Sequence, residues 1–260
     1  MSRTFTLAFF SLSLLALPLR GQATDYTDLW WSPGENGWNL TVTQSDNFIF
    51  ATIFVYDANK QPIWYVGNLA NDGNGNYTGG LYVTTGSYFG TVPYDVSQFH
   101  VTQVGTATFT PQAADTAVLT YNVSGVNVVK NMQRFTLTPI LLAGKYSGGQ
   151  AGTYSGANCS GAGNYTDHFD LQVIQPGDGT AVFVFDYKDS GLTCTLSGVF
   201  QQKGTLYSIP SATYTCSDGL NTNASLTQIK ATSLGIEGVF AAPSVGGGCR
   251  EDAAFSGVLD

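Results

Sequence analysis

Apolar and polar residues alternate along most of this chain with a period of two, and helical spacing is almost absent. The clearest run is "FIFATIFVYD". It puts Phe48, Phe50, Thr52, Phe54 and Tyr56 on one face and Ile49, Ala51, Ile53 and Val55 on the other. "DANKQP" turns the chain into a second run, "IWYVGNL", and further strands are expected at 38–44, 77–85, 101–110, 115–123 and 126–137. That is about seven strands, the number that builds one small barrel or sandwich. "TPILLAG" interrupts the series. Beyond it the pattern resumes at 166–175, 180–188, 192–201, 205–216, 224–231, 234–241 and 253–259, with tight turns at "PGDG", "KDSG" and "QQKG". The chain is therefore expected to be all-β, with two small antiparallel β-barrels or barrel-like sandwiches, calycin-like in class. The modules are placed at residues 24–139 and 140–260.

The first residues change the setting. "MSRTFTLAFFSLSLLALPLRGQA" carries a basic residue, an apolar stretch and small residues at the −3 and −1 positions. Residues 1–23 are expected to be a cleaved signal peptide, which makes the mature protein secreted, either extracellular or periplasmic. No later stretch is long and apolar enough to span a bilayer as a helix. Losing residues 1–23 removes Arg3 and Arg20 but no acid, so a net charge of −8 becomes more negative still. Such a field repels phosphate backbones, and nucleic acid is not an expected partner. Only 11% of residues are charged, while the chain holds 31 Gly, 14 Tyr and 16 Phe, so the surface must be polar chiefly through Asn, Thr, Ser and Gln.

All four cysteines, Cys159, Cys194, Cys216 and Cys249, lie in the second module. An even number in a secreted chain implies two disulfides, for which three connectivities exist. Cys194–Cys216 with Cys159–Cys249 is favoured. A hairpin turning at Gln202–Lys203 would set Cys194 opposite Ala212, so this pairing needs a register shift, such as a bulge at Pro210. There is no C-x-x-C pair, and the two histidines sit in different modules, so no metal site is expected. "DGNGN" (72–76) begins like a calcium loop, but Tyr77 and Val83 stand where glycine and an acid are needed, and a hairpin tip is expected there. Neither a phosphate loop nor a dinucleotide fingerprint occurs, and no cofactor is expected.

Three of the four tryptophans crowd into "DLWWSPGENGW" (28–38). Residues 29–66, "LWWSPGENGWNLTVTQSDNFIFATIFVYDANKQPIWYV", resemble a module widespread in secreted proteobacterial proteins, whose motif is close to L-W-W-N-P-x-E-S-G-W-G. The likeness continues through "GLYVTTG", "VTQVGTATFT" and "LTYNVSGVNVVKNMQRF", covering most of residues 28–135. The chain departs from the motif at Ser32, Gly34, Asn36 and Asn39, and has Ile53 where tryptophan is common. The family carries no assigned reaction, and its occurrence alone or beside other secreted domains implies an accessory or binding role. In calycin-type barrels a Gly–Trp at the first strand closes one end beneath a late arginine. Gly37–Trp38 and Arg134 fit that arrangement, which gives Trp38 and Arg134 a structural role.

Several residues are candidates for function. Trp30, Trp31, Trp64 and Tyr65 are expected to form a ligand-binding surface, since such rings offer rigid apolar area with a polar edge suited to a glycan or a small apolar ligand. Glu35, set among tryptophans, could have a raised pKa and act as a general acid, or could accept backbone N–H groups in its turn. "TDHFD" places His168 and Asp170 on one strand face as a candidate dyad, though no nucleophile elbow accompanies them. The expected function is non-catalytic recognition of an extracellular ligand. The alternative is a hydrolase or lyase acting on an extracellular polymer through Glu35 or His168–Asp170. A third reading is self-association through strand 48–56. A roomy cavity lined by Glu35 or His168 would favour chemistry, and a filled core would favour surface recognition.

Overall fold

A computed structural model describes residues 24–137 and 141–260. The expected signal peptide (1–23) and the expected module boundary at 139/140 lie outside the described residues. Barrel one comprises β1 (Asp28–Trp31), β2 (Asn39–Ser45), β3 (Phe48–Tyr56), β4 (Pro62–Asn71), β5 (Tyr77–Thr85), β6 (His100–Pro111), β7 (Thr116–Val123) and β8 (Val126–Arg134). Each strand pairs antiparallel with the next, and β8 returns to β1 through Trp30↔Arg134, which closes the sheet. One turn of 3-10 helix (Val96–Gln98) is the sole helical element among the described residues.

Barrel two comprises β9 (Gly144–Ser155), β10 (Gly163–Ile174), β11 (Thr180–Tyr187), β12 (Thr193–Val199), β13 (Gln201–Lys203), β14 (Leu206–Cys216), β15 (Asn221–Ala231), β16 (Gly235–Ala242) and β17 (Arg250–Leu259). β13 extends β12 along β14, and β17 pairs with β9, so this sheet also closes on eight strands. The protein is all-β, with two closed antiparallel barrels of calycin-like class.

Three strands escaped the sequence pattern: β13 falls in the expected turn "QQKG", and β1 and β9 are the ones that close the barrels. β1 is only four residues long. β9, "GKYSGGQAGTYS", alternates correctly but puts glycine and glutamine where a core strand would carry aliphatics. Closure removes every open edge, which would otherwise invite pairing with another chain.

Alternation in β3 also settles which face is inside. Ile49, Ala51 and Ile53 are buried, whereas Phe48, Phe50, Phe54 and Tyr56 point outward. An eight-stranded barrel has a narrow interior. Here Trp30, Phe109, Leu40, Leu81 and Leu119 already fill it, which leaves room for branched aliphatics but not for another row of rings. Barrel two is packed through its middle by Phe169, Phe183, Phe185, Phe240 and Phe255, with Leu226 and Ile229.

Both favoured disulfides are formed, Cys194–Cys216 and Cys159–Cys249. The register problem resolves at the turn and along β14. The chain reverses at Gly204–Thr205, after Lys203↔Leu206, and β14 carries one extra residue between Ser208 and Ala212, so Cys194 lies directly opposite Cys216. The extra residue falls within Ile209–Ser211, so the register shift expected at Pro210 is present and completes the pairing.

The closing tryptophan differs from expectation. Arg134 lies over Trp30, 5.1 Å from its ring centroid, and Trp38 instead lies under Lys130. Register explains this, because Trp30 is the cross-strand partner of Arg134 and is fully buried. The Arg134 side chain is itself buried. It donates to Ala114 O (2.8 Å), Thr27 O (3.1 Å), Asp25 O and the Asp28 carboxylate (2.9 Å). A planar guanidinium with five donors suits such a cluster of acceptors in a way that an ammonium does not. Asp28 in turn accepts from the backbone and hydroxyl of Thr205, at 2.8 and 2.9 Å, which joins barrel one to the β13–β14 turn of barrel two.

Candidate functional site

The residues singled out in the sequence do not converge. Trp30 has no exposed surface and is closed to a ligand in this conformation. Trp31 packs edge-on against Phe135. Tyr65 packs against the interior of barrel one, while Trp64, its neighbour on the opposite face, is 51% exposed. Trp64 stands directly across from Phe54, and with Phe48, Phe50 and Tyr56 it makes an aromatic stripe on the outside of β3 and β4.

Glu35 is half-exposed and saturated. Its carboxylate accepts from Lys130 Nζ (2.9 and 2.7 Å) and from Trp38 Nε1 (2.9 Å). The lysine, and then the indole, hold its pKa below the ordinary value, the opposite of what a general acid needs. Gly37, at φ +99°, supplies the left-handed turn that brings Trp38 back over this carboxylate. The His168–Asp170 pairing does not form. His168 Nδ1 meets Asp189 (2.7 Å), which also accepts the His168 backbone N–H, and Asp170 pairs with Lys188 (2.8 Å). All four are solvent-exposed, with Asp189 at the rim of the cavity described next. The Asp72 carboxylate is spent within its own turn, on Asn74 N and on Asn76 N and Nδ2.

Side chains do converge at one end of barrel two. There the ends of β9, β11, β14 and β16 and the starts of β10, β12, β15 and β17 surround a cavity of about 520 Å³. This volume is in the range that holds a small organic ligand. Both disulfides sit at this mouth, with Cys194, Cys216 and Cys249 among its walls. Cys159–Cys249 ties the β9–β10 connection to the β16–β17 connection, and Cys194–Cys216 ties β12 to β14.

The polar heart of the cavity is Glu251 on β17, 5% exposed. Its Oε1 accepts from Tyr165 on β10 and from Gln150 Nε2 on β9 (3.0 Å). Gln150 Oε1 accepts from the Tyr187 hydroxyl (2.8 Å), and Tyr187 bonds onward to Tyr214. Tyr154 stacks on Tyr165, with ring centroids 4.6 Å apart. Burial is the main cause that raises the pKa of Glu251, and no cation stands beside it to oppose the shift. Burial likewise raises all four tyrosines, Tyr154 to about 12 and the others further, so the phenols remain protonated donors. Asp167, also buried, is spent on the backbone N–H groups of Asp189 and Ser190, fixing the β11–β12 turn at the rim.

None of these residues was singled out in the sequence, yet the signal was present. In "REDAAF" the glutamate shares a face with Ala253 and Phe255, while Arg250 and Asp252 share the other and pair with each other at 2.6 Å. An acid in phase with core residues marks a buried carboxylate.

The fold and this mouth define a two-barrel, calycin-like protein with a tyrosine-lined pocket. No known family model matches the chain, and no curated protein is similar to it. Among solved structures, a protein of unknown function from the DUF3598 family of Nostoc punctiforme is similar over 89% of this chain and 93% of its own, at 11% identity and a TM-score of 0.25. A likeness at that level says nothing about site or activity. Among the described residues, no helix is long and apolar enough to cross a membrane, and none of the clusters of His, Cys, Asp and Glu could hold a metal ion. Two disulfides fit an oxidising compartment, extracellular or periplasmic.

Proposed function

We propose that the protein is a secreted, non-catalytic binding protein that takes a small, largely apolar ligand into the mouth of barrel two. The observation that carries this reading is the 520 Å³ cavity, whose walls combine four tyrosine rings with a single cluster of hydrogen-bonding groups around Glu251. Rigid strands and two disulfides hold those walls in place before any ligand arrives, which limits the ordering cost of binding. The competing reading, a hydrolase or lyase on an extracellular polymer, would have to use Glu251 with a phenol. The pKa of Tyr165 is pushed upward, away from the range in which a phenol exchanges protons near neutrality.

The test must not rely on indole fluorescence, because all four tryptophans belong to barrel one. A panel of small ligands is screened by thermal shift and by the near-ultraviolet circular dichroism of the tyrosines. Hits should raise the melting temperature and perturb the tyrosine signal. Leu192→Trp, which fills the mouth, should abolish both responses. Hits that bind this variant unchanged would place the ligand elsewhere, and turnover of a hit would favour the enzymatic reading.

A second reading attaches to the stripe on barrel one, because Phe54 and Trp64 stand exposed side by side. Aromatic platforms of this kind stack on sugar faces. Retardation in glycan-containing gels that Trp64→Ala removes would support it. Self-association through strand 48–56 concerns the same stripe, and sedimentation showing a stable monomer removes that competitor.

A further inference from the structure

Glu251 differs from Asp28, another acid whose side chain is buried, in one respect. Asp28 is neutralised by Arg134 at 2.9 Å, whereas Glu251 is 5% exposed and has no cation beside it. Both hydrogen bonds to Glu251 end on Oε1, no hydrogen bond to Oε2 is formed among the described residues, and Glu251 lines the cavity. Neither lysine, arginine nor histidine lines the cavity, while Asp167, Asp189 and Asp218 join Glu251 there. Asp167 accepts two backbone N–H groups, while Asp189, which accepts from His168, and Asp218, which accepts from Leu220 N, stand in contact with solvent. The field at the mouth is negative, and the carboxylate at its centre keeps one oxygen without a donor. The rings of Tyr154, Tyr165, Tyr187 and Tyr214 surround it, and their faces also attract positive charge.

A metal ion does not suit this site. Calcium asks for six to eight oxygen ligands, and among the described residues no group of His, Cys, Asp and Glu is placed to hold a metal ion. An anionic ligand would meet uncompensated carboxylates. A neutral ligand would leave the ionised Glu251 without a counter-charge. An organic cation meets every group at once.

Resting on the reading of the mouth as a ligand site, we infer that the ligand is an organic ammonium. Its charged head pairs with Glu251 Oε2 inside the tyrosine box, and its apolar body lies toward Leu192, Leu220 and Val245. The cation supplies the counter-charge that the protein withholds, so affinity and selectivity come from the same contact. Binding should discriminate strongly between an amine and the neutral molecule of the same shape.

The full chain is titrated calorimetrically at mildly alkaline pH with two matched pairs, phenethylamine against phenethyl alcohol and choline against its neutral carbon isostere, dimethylbutanol. The cation of at least one pair should bind on the order of tenfold or more tighter than its neutral twin. Glu251→Gln keeps the acceptor for Tyr165 and Gln150 and should erase that preference without weakening the alcohol. Tyr154→Leu removes an aromatic wall at the rim and should weaken the cation several-fold more than the alcohol, a readout that stands if the Glu251 variant folds poorly. Alcohols binding as tightly as amines, or a preference that survives Glu251→Gln, would overturn the inference and leave the cavity reading intact. If no cation, alcohol or other panel member binds the wild-type chain, the cavity reading fails, and the inference with it.

Discussion

Arg134 and Glu251 are both buried, and their surroundings assign them opposite effects on stability. Arg134 meets four acceptors and stacks on Trp30, so Arg134→Ala leaves the Asp28 carboxylate buried without its cation. Such a loss costs about 3–5 kcal/mol. Thermal unfolding should show the corresponding fall, and Arg134→Lys should recover little of it, because an ammonium cannot span the same acceptors. Glu251 is the reverse case. Burial holds its folded pKa above the ordinary 4.5, so the folded protein binds the proton more tightly than the unfolded chain does. The stability linked to that proton is fully present below 4.5 and is lost as pH rises through the folded value. Glu251→Gln should therefore melt close to wild type in acid and above it in mild alkali. The tyrosines around Glu251 stay protonated across that window and do not blur the comparison. A variant whose melting temperature runs parallel to wild type at every pH would show that Glu251 does not titrate in this way. Keeping an acid that lowers stability at neutral and alkaline pH is what a functional site does.

At the level of elements, period-two alternation made the class and most strands legible, because each such strand buries one face against a barrel interior. It failed at β1 and β9, and at the three-residue β13. β1 is too short to establish a period, and β9 carries Gly148, Gln150 and Gly152 on its inward side. The weakness of β9 as a pattern is tied to the site. Gln150 is inward because it joins the Glu251 network, and Gly152 is small because an added Cβ would meet Ala253 and Tyr165 within 2.8 Å. The tryptophan cluster drew attention to barrel one for compositional reasons, yet tyrosine, glutamine and glutamate scattered over five strands of barrel two built the pocket. Pairing those strands required closure, which no single stretch encodes. The two disulfides act on the same elements. Opening Cys194–Cys216, which spans 22 residues, should cost about 3 kcal/mol, and opening Cys159–Cys249, which spans 90, should cost somewhat more. Both pairs brace the mouth and leave the opposite end of barrel two untouched. Cys159→Ser with Cys249→Ser should therefore weaken ligand binding while the Asp28–Thr205 junction keeps its hydrogen-exchange protection. Unchanged binding would show that the strands alone hold the rim.

At the scale of the molecule, each barrel owns a separate hydrophobic core, and polar contacts join the two. This lock is small. Thr205 donates twice to Asp28, Gly204 N–H donates to Thr136 Oγ1 (2.9 Å), and Lys203–Asp115 and Lys230–Asp25 add partly exposed pairs at 2.9 and 3.1 Å. Gly204 is its tightest point. The residue has φ +62°, and a Cβ there would lie 2.3 Å from Asp28 Oδ2 and 2.7 Å from Arg134 Cβ. Gly204→Val must therefore both strain the turn and push Thr205 off Asp28. The expected result is a scattering profile with a larger radius of gyration and a calorimetric transition that splits in two as the barrels uncouple. Lys203→Gln is the control, since a partly exposed pair contributes about 0–1 kcal/mol and its loss should leave the profile unchanged. The Glu251 pocket opens at the end of barrel two opposite the Gly204 turn, so the Gly204 variant should still prefer an amine to its alcohol. Losing that preference together with the junction would mean that barrel one sets the shape of the mouth from a distance. An unaltered scattering profile would show that the two barrels are held by more than this lock.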